Sequence, residues 1–203
     1  MKKIIYILLL ITTKQSFGQT TIKSERLEII CDSIYSHKDY KVTLTTIDST
    51  NQDETKANAI FILYKLTDGK YKKLFSDSIF RHFENIRFAD FNNDNVKDIL
   101  VENISDVRSN MTYYLYLVDT THDKLKKING FEEIKNPNFL PKYNLIDCYV
   151  MSGEDWTNFY KIKGDSIKDF DIVIYDDHTE NGTYERAYKK AIKTILTREK
   201  NNH

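Results

Sequence analysis

Along this chain, apolar and polar positions alternate over short stretches, and the stretches are separated by Asp, Asn and Gly. Tyr40-Lys41-Val42-Thr43-Leu44-Thr45 has a period of two, and residues 59–66 are almost continuously apolar. Thr67-Asp68-Gly69-Lys70 then leads into a second run at residues 71–75. Period two marks a strand with one buried face, and Asp-Gly between two such runs predicts a hairpin. Further strands are predicted at 86–89, 99–101, 112–118, 144–150, 158–162 and 170–175, with Gly164-Asp165 as a second hairpin signal. Only the tail changes period: Ala187, Tyr188, Ala191, Ile192, Ile195 and Leu196 fall at helical spacing and predict a C-terminal helix resting one face on a sheet. The fourteen tyrosines and eleven phenylalanines suit pleated surfaces, where aromatic and β-branched residues pack well. A mainly β, antiparallel, single domain with a C-terminal helix is the resulting expectation.

One interval between strands carries chemistry. Residues 90–98 read DFNNDNVKD, with oxygen-bearing side chains at positions one, three, five and nine: Asp90, Asn92, Asp94 and Asp98. If the backbone curls tightly, these converge on one hard cation, and the Val96 carbonyl points inward as a further oxygen ligand. Three carboxylates within nine residues repel one another unless something positive lies between them. The loop is not an EF-hand, because position twelve is Val101 rather than the closing Glu and the flanks read as strands. Position six, where glycine usually supplies a positive φ, is Asn95, the next most tolerant residue. The site expected is therefore a strand-loop-strand structural calcium site. A metal-free loop of Asx-turns is the alternative, since turns favour the same residues.

The first eighteen residues read as a signal peptide. Lys2 and Lys3 precede an apolar run at 4–11, and Ser16-Phe17-Gly18 ends in small residues suited to cleavage. The run is too short to span a membrane. The expected organisation is thus residues 1–18 as a signal and 19–203 as one calcium-loop domain, periplasmic or extracellular, with no membrane span in the mature chain. Cleavage removes Lys2, Lys3 and Lys14 and no acid, which leaves 27 basic against 30 acidic residues. With no basic excess or stripe, nucleic acid is not an expected partner. In an oxidising compartment the two cysteines, Cys31 and Cys148, are expected to pair as a disulfide; two buried free thiols are the alternative.

Catalysis is not expected. His37, His82, His122, His178 and His203 stand in no HExxH spacing, and no GxSxG elbow occurs. The paired carboxylates Asp176-Asp177 read as a polar loop.

The DxNxDxxxD loop at Asp90 to Asp98 is similar to the calcium loops of FG-GAP and VCBS-like proteins. A narrower likeness runs through Phe88 to Phe91, Thr112-Tyr113-Tyr114-Leu115-Tyr116-Leu117, Asn136-Pro137-Asn138-Phe139 and Trp156-Thr157-Asn158-Phe159-Tyr160-Lys161-Ile162. Over about residues 80–165 the chain resembles small periplasmic calcium-loop β-proteins related to the periplasmic inhibitor of invertebrate-type lysozyme. The resemblance implies an antiparallel β-sandwich or propeller-blade-like fold and a non-catalytic role as an inhibitor or immunity protein against a lysozyme-like peptidoglycan hydrolase. It places recognition on the loop Ser152, Gly153, Glu154, Asp155 and Trp156. Glu154 and Asp155 depart from the pattern, because two carboxylates entering a glycosidase cleft would meet its own acids. On the other reading Trp156 is a core aromatic, and the acids are a solvated turn. A surface adhesion or glycan-binding module is the alternative function.

Overall fold

The computed structural model describes residues 26–179 and 181–201; the expected signal peptide, residues 1–18, lies outside the described residues. Twelve strands form three successive antiparallel meanders, each with its strands in chain order. The first comprises β1 (Arg26–Ile30), β2 (Tyr40–Thr46), β3 (Ala59–Thr67) and β4 (Lys70–Ile79). The second comprises β5 (Ile86–Ala89), β6 (Asp98–Ser105), β7 (Met111–Asp119) and β8 (Lys124–Ile128). The third comprises β9 (Pro137–Leu140), β10 (Leu145–Val150), β11 (Asp155–Lys163) and β12 (Ser166–Asp169). A short β13 (Ile174–Asp176) pairs with the first residues of β11, end to end with β12, and α1 (Thr183–Asn201) closes the chain.

The side-chain alternation of the strands explains how the meanders stack. Ile99 and Val101 of β6 and Tyr116 and Val118 of β7 face the first sheet, where they join Val42, Leu44, Phe61 and Leu63 in one core. The intervening Leu100, Tyr113 and Leu115 face the third sheet and join Ile146, Cys148 and Val150 in a second. The central sheet is covered on both faces, so β6 and β7 read as nearly continuous apolar runs rather than as clean alternation. Adjacent sheets pack face to face as in a sandwich, and the succession of four-stranded meanders is blade-like. The free face of the third sheet receives α1: Ala191, Ile192 and Ile195 are buried against Leu145, Phe159 and Phe170. Full burial of a side chain such as Ile195 contributes about 1.5 to 3 kcal/mol, and this apolar stripe docks the helix.

The Asp-Gly turn forms as predicted, with Asp68 at φ 53° and Gly69 at φ 72° joining β3 to β4. The predicted strand at 170–175 is broken. Phe170 turns into the core beneath α1, Asp171 takes φ 53°, and pairing resumes only at Ile174. The expected disulfide is absent. Cys31 and Cys148 are free and buried, the first in the core between sheets one and two, the second in the core between sheets two and three. Each thiol packs on a different side of the central sheet, which keeps them apart.

Candidate functional site

The loop at 90–98 connects β5 to β6 and is held from both sides. Phe91 enters the second core, its ring 5.4 Å from that of Phe131 and 5.8 Å from that of Phe139, while Val96 packs against the first core. The Tyr35 hydroxyl donates to the Lys97 carbonyl at 2.7 Å. Between these anchors the loop's oxygens organise its own amides. Asp90 Oδ1 accepts from the N–H of Asn92 at 3.0 Å and of Asn93 at 2.6 Å, and Oδ2 accepts from Asn95 at 2.9 Å. Asn92 Oδ1 accepts from Asp94 N–H at 3.0 Å, and Asp94 Oδ1 from Val96 N–H at 2.7 Å. Such Asx-turns curl the chain, and Asn93 and Asn95 adopt φ 64° and 65°. Asn95 thus takes the left-handed conformation expected of position six; Asn93 does so without having been predicted.

Asp98 differs from the other ligand candidates, since it is fully buried. Its two oxygens accept backbone N–H groups from Phe91 at 2.8 Å and from Val118 at 3.0 Å. Burial pushes its carboxyl up to about 7; the two N–H donors pull the other way, and the charges of Asp94 and Asp90 add to the rise. A dication beside these carboxylates would relieve that cost. Among the described residues no group of three or more His, Cys, Asp or Glu side chains is arranged to hold a metal by itself. A cation here would therefore depend on the Asn92 side chain and the Val96 carbonyl as well. Every donor in that set is an oxygen, which suits calcium rather than zinc or copper. Each carboxylate oxygen that accepts one N–H retains a second lone pair. Asn92, Asp94 and Val96 also line an open cleft of about 500 Å³ shared with Asp119 and Thr120.

The second candidate, residues 152–156, is the tip of the β10–β11 hairpin and the start of β11. Ser152, Gly153 and Glu154 are exposed, whereas Asp155 and Trp156 are partly buried. Trp156 packs against the second core. Asp155 turns back to accept the Ser152 N–H at 2.9 Å, and that bond, ahead of weaker partners, holds its carboxyl below the usual range. Gly153 has φ 102°, a backbone conformation that strains any side chain, and a Cβ there would lie 3.1 Å from the Arg108 guanidinium. Arg108 belongs to the β6–β7 tip beside it, where Val107 is wholly exposed.

Two polar clusters behind this surface have no motif in the sequence. Asn110, 1% exposed, joins the two tips: its Oδ1 accepts the Met151 N–H and its Nδ2 donates to the Met151 carbonyl, both at 2.9 Å. Asn136 extends the ladder by donating to Asn110 Oδ1 and to the Tyr149 carbonyl, each at 2.9 Å. In the other cluster the Tyr149 hydroxyl lies 3.1 Å from Asp155 and from Asp176, with His178 Nε2 3.3 Å from Asp155. Burial, then these two acceptors, raises the Tyr149 hydroxyl well above the usual phenol range, so it stays protonated and donates. Asp176 is thus a strand residue paired across to Asp155, not the loop residue predicted. Only the strand register could have shown this.

No family model, curated protein or solved structure matches the chain. Its class rests on architecture: a mainly β, single-domain stack of three antiparallel sheets with one C-terminal helix. No helix among the described residues is long and apolar enough to cross a membrane.

Proposed function

We propose that this chain is an exported, non-catalytic binding protein whose loop Asp90 to Asp98 is held rigid by one structural calcium ion. The observation that carries the reading is the loop itself: five oxygen donors in nine residues, curled by Asx-turns and anchored by a buried carboxylate that is poorly stabilised as an anion. Asp90, Asn92, Asp94, the Val96 carbonyl and Asp98 would hold the ion. Its contribution is rigidity at the junction of two cores.

The partner in this reading is a lysozyme-like peptidoglycan hydrolase, engaged by Ser152, Gly153 and Glu154 together with Val107 and Arg108. Support comes from the exposure of both tips and from the Asn110 ladder that fixes them to each other, since a preformed tip loses little entropy on binding. Trp156 contributes packing beneath the tip rather than a free anchor, and Asp155 shapes the turn. Glu154 is then the one acid presented outward, which lessens the charge conflict that the sequence raises.

The test is the rate of cell-wall lysis by chicken-type, goose-type and invertebrate-type lysozymes with and without the purified protein. At least one enzyme should be slowed, and Ser152→Arg should relieve the inhibition without lowering the melting temperature. If no enzyme is slowed, the hydrolase reading fails; if Ser152→Arg inhibits fully, this tip is not the interface.

A further inference from the structure

The connection between β2 and β3, residues 47–58, is the longest loop within the first sheet, and it is folded on itself rather than onto a core. Asp48 Oδ1 accepts the N–H and the hydroxyl of Thr50 at 2.9 and 2.7 Å. Asn51 Oδ1 accepts the Asp53 N–H at 2.9 Å, and its Nδ2 reaches the Lys56 carbonyl at 2.8 Å. A loop stiffened in this way without apolar burial forms one wall of a cleft of about 430 Å³, lined by Ser49, Asn51 and Gln52 on that side and by Arg81 and His82 on the other. Asn58 also lines it, and its carboxamide brackets the Arg81 backbone, donating to the carbonyl at 2.8 Å and accepting the N–H at 3.0 Å.

Arg81 is the feature that calls for a ligand. Its side chain is only 6% exposed, and Nη2 donates to the Thr46 hydroxyl and to Glu84. Its Nε–H has no acceptor among the described residues. A buried guanidinium donor without a partner is costly, and an acceptor supplied from outside accounts for it. Around the cleft the Ser49 hydroxyl, the Gln52 carboxamide and the His82 ring make no hydrogen bond within the described residues. They offer donors and acceptors together.

Charge selects the class of ligand. Glu84 already balances the Arg81 guanidinium at 2.5 Å, and Asp48, Asp53 and Glu54 outnumber Lys56 on the loop, so an anion would find no net positive field. A bare cation brings no lone pair for the unmatched Nε–H donor. A neutral molecule rich in hydroxyls satisfies the uncommitted groups without adding charge. Phe83, 54% exposed with its ring 6.3 Å from that of His82, supplies an apolar platform beside them. We infer that this cleft binds a neutral saccharide of one or two rings, at a site that shares no residue with the calcium loop or the hairpin tips.

The test is calorimetric titration of the full exported chain with triacetylchitotriose, cellotriose and maltotriose, and with sialyllactose as an anionic control. At least one neutral trisaccharide should bind with Kd below about 10 mM, and the exposed-residue pair Gln52→Ala with His82→Ala should weaken it about tenfold at an unchanged melting temperature. Absence of binding by all three neutral sugars overturns the inference. So does equal affinity in the double variant, which would move the sugar elsewhere, and so does binding of sialyllactose alone, which would reverse the charge argument.

Discussion

Asp98 and Val118, separated by twenty residues, are joined by a hydrogen bond of 3.0 Å from the Val118 amide to Oδ1 of a carboxylate that is wholly buried. The other oxygen takes the Phe91 amide, so one side chain ties the end of the calcium-like loop to its beginning and to the neighbouring strand β7. The role is structural before any ion is considered, and it separates Asp98 from Asp90 and Asp94, whose bonds stay within the loop.

That separation predicts a split between two variants. Asp98→Ala leaves two buried N–H groups without acceptors and should cost about 2 to 4 kcal/mol in chelator, and more in calcium, where a ligand to the ion is lost as well. Asp94→Ala should have little effect in chelator and should abolish the gain from calcium. With Kd of roughly 0.1 to 1 mM, that gain is about 1 to 2 kcal/mol at a few millimolar calcium. Denaturant titrations of both variants, with and without calcium, measure it. A wild type indifferent to calcium after thorough chelation removes the ion from the account.

Asn110→Ala should destabilise the protein by about 2 to 4 kcal/mol, because it strands the Met151 amide and carbonyl and one Asn136 donor. Hydrogen exchange at Met151 should accelerate more than exchange in the first sheet. Uniform acceleration would mean that the ladder does not act locally on the tips.

The cysteines should behave as inert core residues. Burial pushes both thiols up to about 11, so little thiolate exists at neutral pH. The native protein should resist alkylation, take two labels once unfolded, and melt at the same temperature with or without reductant. A mass two hydrogens lower, with no labels taken up after unfolding, contradicts the separation of the two cores.

Glu199 of α1 bonds Lys161 at 2.9 Å and Lys168, and these two partners hold its carboxyl down to about 2. A carboxyl lowered in the folded state stabilises fully above its ordinary value near 4.5, and that stabilisation is lost as the pH falls from about 4.5 to about 2. Partial exposure of the lysines moderates the effect to about 1 to 2 kcal/mol. Glu199→Gln should therefore lower the melting temperature at pH 7 by about 2 to 4 °C per kcal/mol, and the gap to the wild type should close toward pH 2. A gap that persists at low pH would assign the loss to packing instead.

Much of the architecture was legible because it follows from local periodicity. Strands β2, β3, β6, β7, β10 and β11 carry alternating or continuous apolar runs, and the spacing from Ala187 to Leu196 identified the helix. Strands β1, β8, β9 and β12 were missed. Arg26–Ile30 and Lys124–Ile128 are short and largely polar outward, and Pro137–Leu140 holds its place by pairing with β10. The stretch at 170–175 misled because Phe170, Ile172 and Ile174 alternate as a strand would, yet Phe170 serves the core under the helix.

The sequence by itself determined the curl of the loop at 90–98, since Asx side chains capture amides two to five residues away, and the turn at Asp68-Gly69, since few other residues tolerate positive φ there. It also determined that the chain would be β-rich with a helical end. The tertiary structure alone decided which side of the central sheet each cysteine occupies, that Asp98 reaches Val118, that Asp155 faces Asp176, and that the Nε–H of Arg81 closes a cleft with no acceptor among the described residues. These relationships join residues tens of positions apart. They are set by strand register and by the stacking of sheets, where a shift of one residue moves a side chain to the opposite face, and no local pattern encodes that choice.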